Sequence, residues 1–83
     1  MKVAIYSMEQ TLFEGEAEKL IAQTPMGQIA ILHDHLPILS AILPPSVTVV
    51  HNDGEHTIIA LGGGILEVWP ESQIVILAHE ATR

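Results

Sequence analysis

Two histidines separated by one aspartate, at His33-Asp34-His35, are the residues of this chain whose types and spacing best suit chemistry. In an extended segment, residues two apart point to the same side, so the two imidazoles could share a metal ion. Stable metal sites use three or four protein ligands, and this tripeptide follows a predicted strand. We therefore expect a turn here, with one or both histidines packed or hydrogen-bonded, and no metal.

Two other clusters also favour a structural interpretation over a ligand site. His51 and His56 flank a turn signal at Asp53-Gly54, which predicts that they face each other across an exposed, solvated hairpin tip. The glycine triplet at 62–64 lacks the surrounding motif of a phosphate-binding loop. It predicts a bulge or a close approach by a neighbouring backbone.

The carboxylates indicate surfaces and contacts, and we expect no enzymatic activity. Glu14, Glu16 and Glu18 alternate with small residues and read as a solvated face, and the serines lack a base and an orienting group. Glu67 differs because it shares a strand face with Ile65 and Trp69. Its side chain points either outward on a contact surface or inward beside a charge partner. A buried carboxylate needs a positively charged group, and because this chain has few, a partner subunit could supply it.

Composition excludes several classes of function. The 83 residues include three Lys or Arg against ten Asp or Glu, a formal net charge of −7, which argues against binding nucleic acid, phosphate-rich substrates or anionic lipid headgroups. The chain has no cysteine, so disulfides, thiolate chemistry and Cys-based zinc sites are excluded. No apolar run approaches the roughly 20 residues of a membrane span, and we expect an intracellular protein without direct membrane insertion.

Apolar residues recur with a period of two between closely spaced turn signals, which favours an all-β fold. We predict one domain over residues 1–83, a small antiparallel β-sandwich or flattened barrel of about ten short strands. Turns are expected at 13–16 and 25–27, and strands at 19–23, 28–32 and 38–43. Because Pro44-Pro45 cannot donate to a ladder, these residues predict a crossing between sheets or an edge.

Two hairpins carry the most specific local expectations. A two-residue turn at Asp53-Gly54 would place Val47 opposite Ala60, Val49 opposite Ile58 and His51 opposite His56. A second hairpin joins strands 65–69 and 73–78 through Pro70-Glu71-Ser72, which predicts a type I turn with proline at its second position.

Five segments together resemble a known family, and they cover nearly the whole chain. They are residues 12–19 (LFEGEAEK), 27–32 (GQIAIL), 35–39 (HLPIL), 63–68 (GGILEV) and 75–78 (VILA). In order and spacing they resemble the epsilon subunit of F-type ATP synthases. The HLPIL and GGILEV segments are the most specific parts of the match.

The resemblance implies a non-catalytic rotor subunit of the central stalk. Such a subunit couples the gamma subunit to the membrane c-ring during proton- or sodium-driven ATP synthesis, and the resemblance implies no cofactor. The residues implied to contact gamma are Ser7, His35, Leu36, Ser40 and Gly62. Those implied to contact the polar loops of the c-ring are Met26, Gly27 and Gln28, with Gln28 replacing the usual glutamate.

The resemblance also sets expectations about extent and location. Family members commonly continue with an inhibitory helical hairpin, and from a sequence that ends at Arg83 we expect a chain without it. We expect a bacterial protein, peripheral on the cytoplasmic face of the inner membrane, whose bare sheet edges can pair as a homodimer when isolated. The alternatives are a cupin-like metal-binding β-barrel using His33 and His35 with His51 or His56, and a β-sandwich interaction module for another partner.

Overall fold

The computed structural model describes residues 1–81, and these residues form nine β-strands in two sheets. The predicted all-β sandwich is therefore confirmed. The strands are β1 (Lys2–Tyr6), β2 (Thr11–Glu16), β3 (Lys19–Thr24), β4 (Gly27–Leu32), β5 (Ile38–Ile42), β6 (Ser46–Val50), β7 (His56–Ala60), β8 (Gly64–Trp69) and β9 (Gln73–Ala78). Over the same residues, no helix is long and apolar enough to cross a membrane.

One sheet has five strands in the order β2-β1-β9-β8-β5, and the other has four in the order β4-β3-β6-β7. All neighbours run antiparallel except β1 and β9, which pair in parallel. The predicted crossing at Pro44-Pro45 is confirmed, because β5 is an edge of the first sheet and β6 belongs to the second. The chain thus crosses four times between two layers that pack face to face, after β2, β4, β5 and β7.

Aliphatic side chains at alternate positions fill the space between the two sheets. The largest fully buried side chains come from both layers: Val3, Ile5, Leu20, Ile31, Val47, Val49, Leu61, Leu66, Ile74 and Ile76. Burial of one such side chain stabilises the fold by about 1.5–3 kcal/mol relative to leaving it in water. This continuous core makes the sandwich a stiff platform for the loops at its two ends.

The two ends of the five-stranded sheet carry different loops, and their positions follow from the strand registers. At one end, Lys2 pairs with Gln73 and Gln73 with Trp69, beside the β4–β5 loop. We call this the His35 end. At the other end, Tyr6 pairs with Leu77 and Gly64 with Ala78. We call this the Ser7 end.

The predicted turn at 13–16 is wrong, because these residues belong to β2. Phe13 lies opposite Ile5, and Gly15 lies opposite Val3 on β1. The chain reverses earlier, where the Ser7 amide donates to the carbonyl of Gln10 at 2.8 Å. The Ser7 hydroxyl also accepts from the Gln10 amide at 3.2 Å, so a serine turn replaces the expected Glu-Gly turn.

The predicted register of the β6–β7 hairpin is wrong by one residue. Val47 lies opposite Ile59 rather than Ala60, and Val49 opposite Thr57 rather than Ile58. The loop has three residues, because the His51 amide donates to Glu55 at 2.8 Å and Gly54 adopts a φ of 89°. A type I turn followed by a left-handed glycine is the usual three-residue connection. In consequence, Ile58 is 69% exposed.

The turn between β8 and β9 also differs from the predicted type I geometry. Glu71 and Ser72 have φ values of 67° and 58°, whereas both central residues of a type I turn have negative φ. Two bonds constrain Ser72: its carbonyl accepts from the Lys2 amide, and its hydroxyl accepts from the Asp34 amide, each at 3.0 Å. The local sequence does not encode either partner.

The glycine triplet confirms the expected close approach of backbone. A Cβ on Gly64 would collide with the carbonyl oxygen of Leu77 and lie 2.8 Å from the Cα of Ala78. Gly63 has a φ of 97°, and a Cβ there would lie 3.2 Å from the carbonyl oxygen of Ile42. The triplet lets β8 enter the sheet between β5 and β9 without a side chain in the way.

Candidate interaction surfaces

The loop at residues 33–37 forms the predicted turn at His33-Asp34-His35. The His35 amide donates to the carbonyl of Leu32 at 3.1 Å, and its ring Nδ1 lies 2.7 Å from the carbonyl of Leu36. Since a carbonyl can only accept, this contact places the ring proton on Nδ1. The loop leaves the Leu36 side chain 77% exposed at its tip.

The arrangement of the histidines does not support the metal-binding alternative. Residues 1–81 contain no group of three or more His, Cys, Asp or Glu that could hold a metal ion. His51 packs against Phe13, with ring centroids 5.9 Å apart, and its Nε2 lies 2.6 Å from the Thr57 hydroxyl. Because of the shifted register, His56 pairs with Val50 and not with His51.

The turn between β3 and β4 presents a second exposed apolar side chain. Met26 is 95% exposed at its tip, and Gly27 has a φ of 115°. The Thr24 hydroxyl donates to the carbonyl of Gly27 at 2.8 Å and accepts from the Met26 amide at 3.1 Å. The Gln28 side chain accepts from the Gln23 amide group across the hairpin, so the side chains beside the turn are also fixed.

Ser7 and Gly62 are brought together by the segment that follows β9. The Ser7 hydroxyl donates to Glu80 Oε1 at 2.7 Å, and Gln10 Nε2 donates to the same oxygen at 2.9 Å. The Gly62 amide donates to the carbonyl of His79 at 2.8 Å, and a Cβ on Gly62 would lie 3.0 Å from the carbonyl oxygen of Glu80. These contacts place both residues at the Ser7 end.

The Ser7–Glu80 contact predicts a specific pH dependence. The hydrogen bond from Ser7, followed by that from Gln10, lowers the pKa of Glu80 below its ordinary value. A lowered folded-state pKa stabilises the fold above the pKa of the unfolded chain. That contribution is lost as the pH falls through the folded-state pKa.

We expect Ser7→Ala to raise the titration midpoint of the Glu80 carboxyl, measured by carboxyl-carbon NMR, and Gln10→Ala to raise it less. The order follows from the larger effect of the Ser7 hydroxyl. Equal midpoints in the wild type and Ser7→Ala would show that the hydroxyl does not stabilise the carboxylate.

The residues that the resemblance assigns to gamma do not form one compact patch. His35 and Leu36 lie at the His35 end, whereas Ser7 and Gly62 lie at the Ser7 end. Ser40 stands between them on edge strand β5, half-buried, with its hydroxyl donating to the carbonyl of Ala41 at 2.9 Å. A single partner therefore has to follow β5 along the length of the sheet.

The residues assigned to the c-ring lie at the Ser7 end. The Leu43 amide, just beyond β5, donates to the carbonyl of Gln23 at 2.9 Å, two residues before the turn at Pro25-Met26 begins. Pro44 in turn lies against Gly63, at 3.5 Å from the position of a Cβ there. The Met26 turn and the Gly62 loop are thus linked through the connection between β5 and β6.

The outer face of the five-stranded sheet is more apolar than the sequence indicated. Glu67 points outward and is half-buried, which agrees with the first of the two orientations considered for it. Its cross-strand neighbours are Leu39 on β5 and Val75 on β9. Around it lie Leu39, Ile65, Trp69 and Leu77, which are 73%, 43%, 51% and 54% exposed. The alternation of 65, 67 and 69 indicated part of this face, but Leu39 and Leu77 join it only through strand pairing.

Comparison with known proteins identifies the family. A family model described as ATP synthase, Delta/Epsilon chain, beta-sandwich domain matches residues 1–83. The chain belongs to this family. The predicted resemblance is thereby confirmed at the level of the domain family.

Curated relatives in the delta/epsilon family include two bacterial ATP synthase epsilon chains. The one from Dichelobacter nodosus is 35% identical over 82 residues, covering 99% of this chain and 57% of the relative. The one from Chromohalobacter salexigens is 40% identical over 79 residues, covering 95% and 55%. The chain thus spans a little over half the length of these relatives.

Solved structures show the same fold. A chain in the Euglena gracilis mitochondrial ATP synthase assembly of OSCP, F1 and c-ring aligns with a TM-score of 0.88 at 17% identity, covering 96% of this chain and 51% of that chain. A chain in the Tetrahymena thermophila mitochondrial ATP synthase central stalk and c-ring aligns with a TM-score of 0.73 at 16% identity, covering 95% and 63%. At these identities the likeness concerns architecture.

Proposed function

We propose that this chain is a non-catalytic rotor subunit of the central stalk of an F-type ATP synthase. It couples the gamma subunit to the c-ring during ion-driven ATP synthesis. One observation carries the proposal. The three most exposed large apolar side chains, Met8 (99%), Met26 (95%) and Leu36 (77%), lie in or beside three of the places assigned to partner contacts, at Ser7, at 26–28 and at 35–36. Covering such side chains with a partner removes apolar surface from water, which stabilises the complex.

The gamma subunit binds along edge strand β5 and both ends of the five-stranded sheet. Its contacts are His35 and Leu36 at one end, Ser40 on the edge, and Ser7 and Gly62 at the other end. The five residues of β5 extend about 16 Å, so the partner surface is elongated. A grip at two separated points resists rotation of the sandwich against gamma better than a single central contact does.

The c-ring contacts the turn that carries Met26, Gly27 and Gln28. Met26 supplies apolar area, and the neutral amide of Gln28 supplies hydrogen-bond donors and acceptors for polar loops. Because this turn lies at the Ser7 end, ring and gamma contacts are joined through the β5–β6 connection. The rigid core then transmits torque between the c-ring and gamma, and no residue of this chain acts as a catalyst.

The chain occupies a peripheral position on the membrane-bound complex. Its curated relatives from Dichelobacter nodosus and Chromohalobacter salexigens are bacterial epsilon chains, which favours the cytoplasmic face of a bacterial inner membrane. The −7 formal charge disfavours contact with anionic lipid headgroups. Its hold on the complex therefore depends on the protein partners.

The ring contact can be tested separately from gamma binding. A complex of the chain with gamma is passed over immobilised, detergent-solubilised c-ring, and the retained fraction is measured. We expect Met26→Asp to lower the apparent affinity for the ring by about tenfold, because it places a carboxylate where an apolar tip is covered. Gamma binding should be unchanged. Equal retention of the wild type and the variant would contradict the assignment of this turn to the ring.

A further inference from the structure

Among residues 1–81, two polar side chains belong to buried residues, and each is a hydroxyl beside one of the proposed contact loops. Thr24 is 5% exposed and Ser72 is 8% exposed. Thr24 precedes the Met26 turn in sequence, whereas Ser72 lies in the β8–β9 turn, far from His35 in the chain. A buried polar group needs hydrogen-bond partners, and both hydroxyls find theirs in the loops that present Met26 and Leu36.

We infer that Thr24 and Ser72 are positioning residues that hold these two loops in their partner-binding conformations. The inference rests on the proposed function for the identity of the two partners. Neither hydroxyl has to touch gamma or the ring. Each acts through the backbone of the loop beside it.

Ser72 ties the β4–β5 loop to the sheet. Its hydroxyl accepts from the Asp34 amide at 3.0 Å and lies 3.4 Å from Asp34 Oδ1, to which it can donate. Its carbonyl accepts from the Lys2 amide on β1 at 3.0 Å. One residue thus joins β1, the β8–β9 turn and the loop that carries His35 and Leu36.

The backbone conformation on both sides of this contact supports the positioning role of Ser72. Asp34, Glu71 and Ser72 have φ values of 64°, 67° and 58°, in the left-handed region that non-glycine residues rarely adopt. Such conformations persist where the surrounding structure over-determines them, and they concentrate at functional sites. Here the two left-handed segments are hydrogen-bonded to each other across 38 residues of sequence.

Thr24 acts in the same way at the other loop. Its hydroxyl uses both functions, donating to the carbonyl of Gly27 at 2.8 Å and accepting from the Met26 amide at 3.1 Å. The contact closes the turn from inside, leaving Met26 exposed at the tip. A loop fixed before binding loses less conformational entropy when its partner docks.

The two hydroxyls predict a reciprocal pattern of binding defects, since each serves a different loop. Ser72→Gly removes a hydroxyl while permitting positive φ, and Thr24→Val removes one while keeping the branched shape. We expect Ser72→Gly to weaken gamma binding by about three- to tenfold and, at gamma concentrations that saturate the chain, to leave ring retention unchanged. Thr24→Val should weaken ring retention by the same factor and leave gamma binding unchanged.

Controls that keep the hydroxyl contacts should bind normally. Thr24→Ser retains the hydroxyl. Asp34→Asn retains the amide that donates to Ser72 and an Oδ1 acceptor, and it tolerates the positive φ, while it removes the negative charge. If Asp34→Asn weakens gamma binding as much as Ser72→Gly does, the charge of Asp34 and not the Ser72 hydroxyl determines the effect.

Amide hydrogen exchange in the free chain reports positioning without any partner. In the wild type, the Asp34 and Met26 amides should be protected. Ser72→Gly should accelerate exchange of the Asp34 amide by about tenfold and leave the Met26 amide unchanged. Thr24→Val should accelerate exchange of the Met26 amide by about tenfold and leave the Asp34 amide unchanged. Unprotected wild-type amides would overturn the inference even if a variant failed to fold.

Failure of this inference can be told apart from failure of the proposed function. If Leu36→Asp abolishes gamma binding while Ser72→Gly accelerates exchange but binds normally, the interface stands and the positioning role is wrong. If Leu36→Asp also binds normally, the proposed interface is wrong. Parallel losses of both bindings in both variants would indicate general destabilisation and overturn the inference.

Discussion

Leu36→Asp is expected to weaken binding of the gamma subunit by about a hundredfold or more. The Leu36 side chain is 77% exposed at the tip of the β4–β5 loop. Burying it in an interface would therefore contribute about 1.5–3 kcal/mol to the free energy of binding. The variant loses this contribution and also forces a carboxylate out of water. Isothermal titration calorimetry with purified gamma measures the change directly.

A matched variant on the opposite sheet provides the control. Ile58 is 69% exposed on β7 and is cross-strand neighbour to Thr48 on the outer face of the four-stranded sheet. Ile58→Asp introduces the same charge at a similar exposure, and we expect it to bind gamma within about twofold of the wild type, as is usual for surface changes away from an interface. Equal losses in both variants would mean that added charge, not the position of Leu36, determines the effect.

Gly64→Ala is expected to be the most destabilising single-methyl change in this fold, costing about 3 kcal/mol or more. The new Cβ would collide with the carbonyl oxygen of Leu77 and lie 2.8 Å from the Cα of Ala78. Both atoms belong to the backbone of β9, the central strand of the five-stranded sheet. Relief of the collision therefore requires β8 and β9 to separate at this point.

Urea unfolding measures this effect, and Gly15→Ala is the matched control. Gly15 also lies in a strand of the five-stranded sheet, but a Cβ there would meet Phe13 side-chain atoms at 3.5 and 3.7 Å, an ordinary contact distance. We expect its unfolding free energy to change by less than about 1 kcal/mol. If Gly64→Ala unfolds at the same urea concentration as Gly15→Ala, the close approach of β9 does not constrain this position.

Alternation of apolar residues was sufficient to predict the fold class, because it reports which side of each strand is buried. Val3 and Ile5 are buried as their spacing indicates, as are Val47 and Val49. Turn geometry was less predictable. The segment around Asp53-Gly54 is compatible with a two- or a three-residue loop, and the difference of one residue moves Ile58 from the predicted inner face to the outer one.

Contacts between distant segments explain what the sequence could not reveal about the candidate surfaces. Local alternation placed Glu67 on one strand face with Ile65 and Trp69, but it left open whether that face points outward or inward. Leu39 lies beside Glu67 only because β5 pairs with β8, and the Asp34–Ser72 contact spans 38 residues. Such contacts depend on which distant segments become neighbours in the folded chain, and a single sequence does not specify this locally.

Titration of the gamma subunit from the same organism with this chain tests the central claim most directly. The account predicts a one-to-one complex with a dissociation constant below about 1 μM, equivalent to about −8 kcal/mol. Circular dichroism establishes in the same sample that the chain is folded. Absence of binding by a folded chain would contradict its assignment as a gamma-binding rotor subunit.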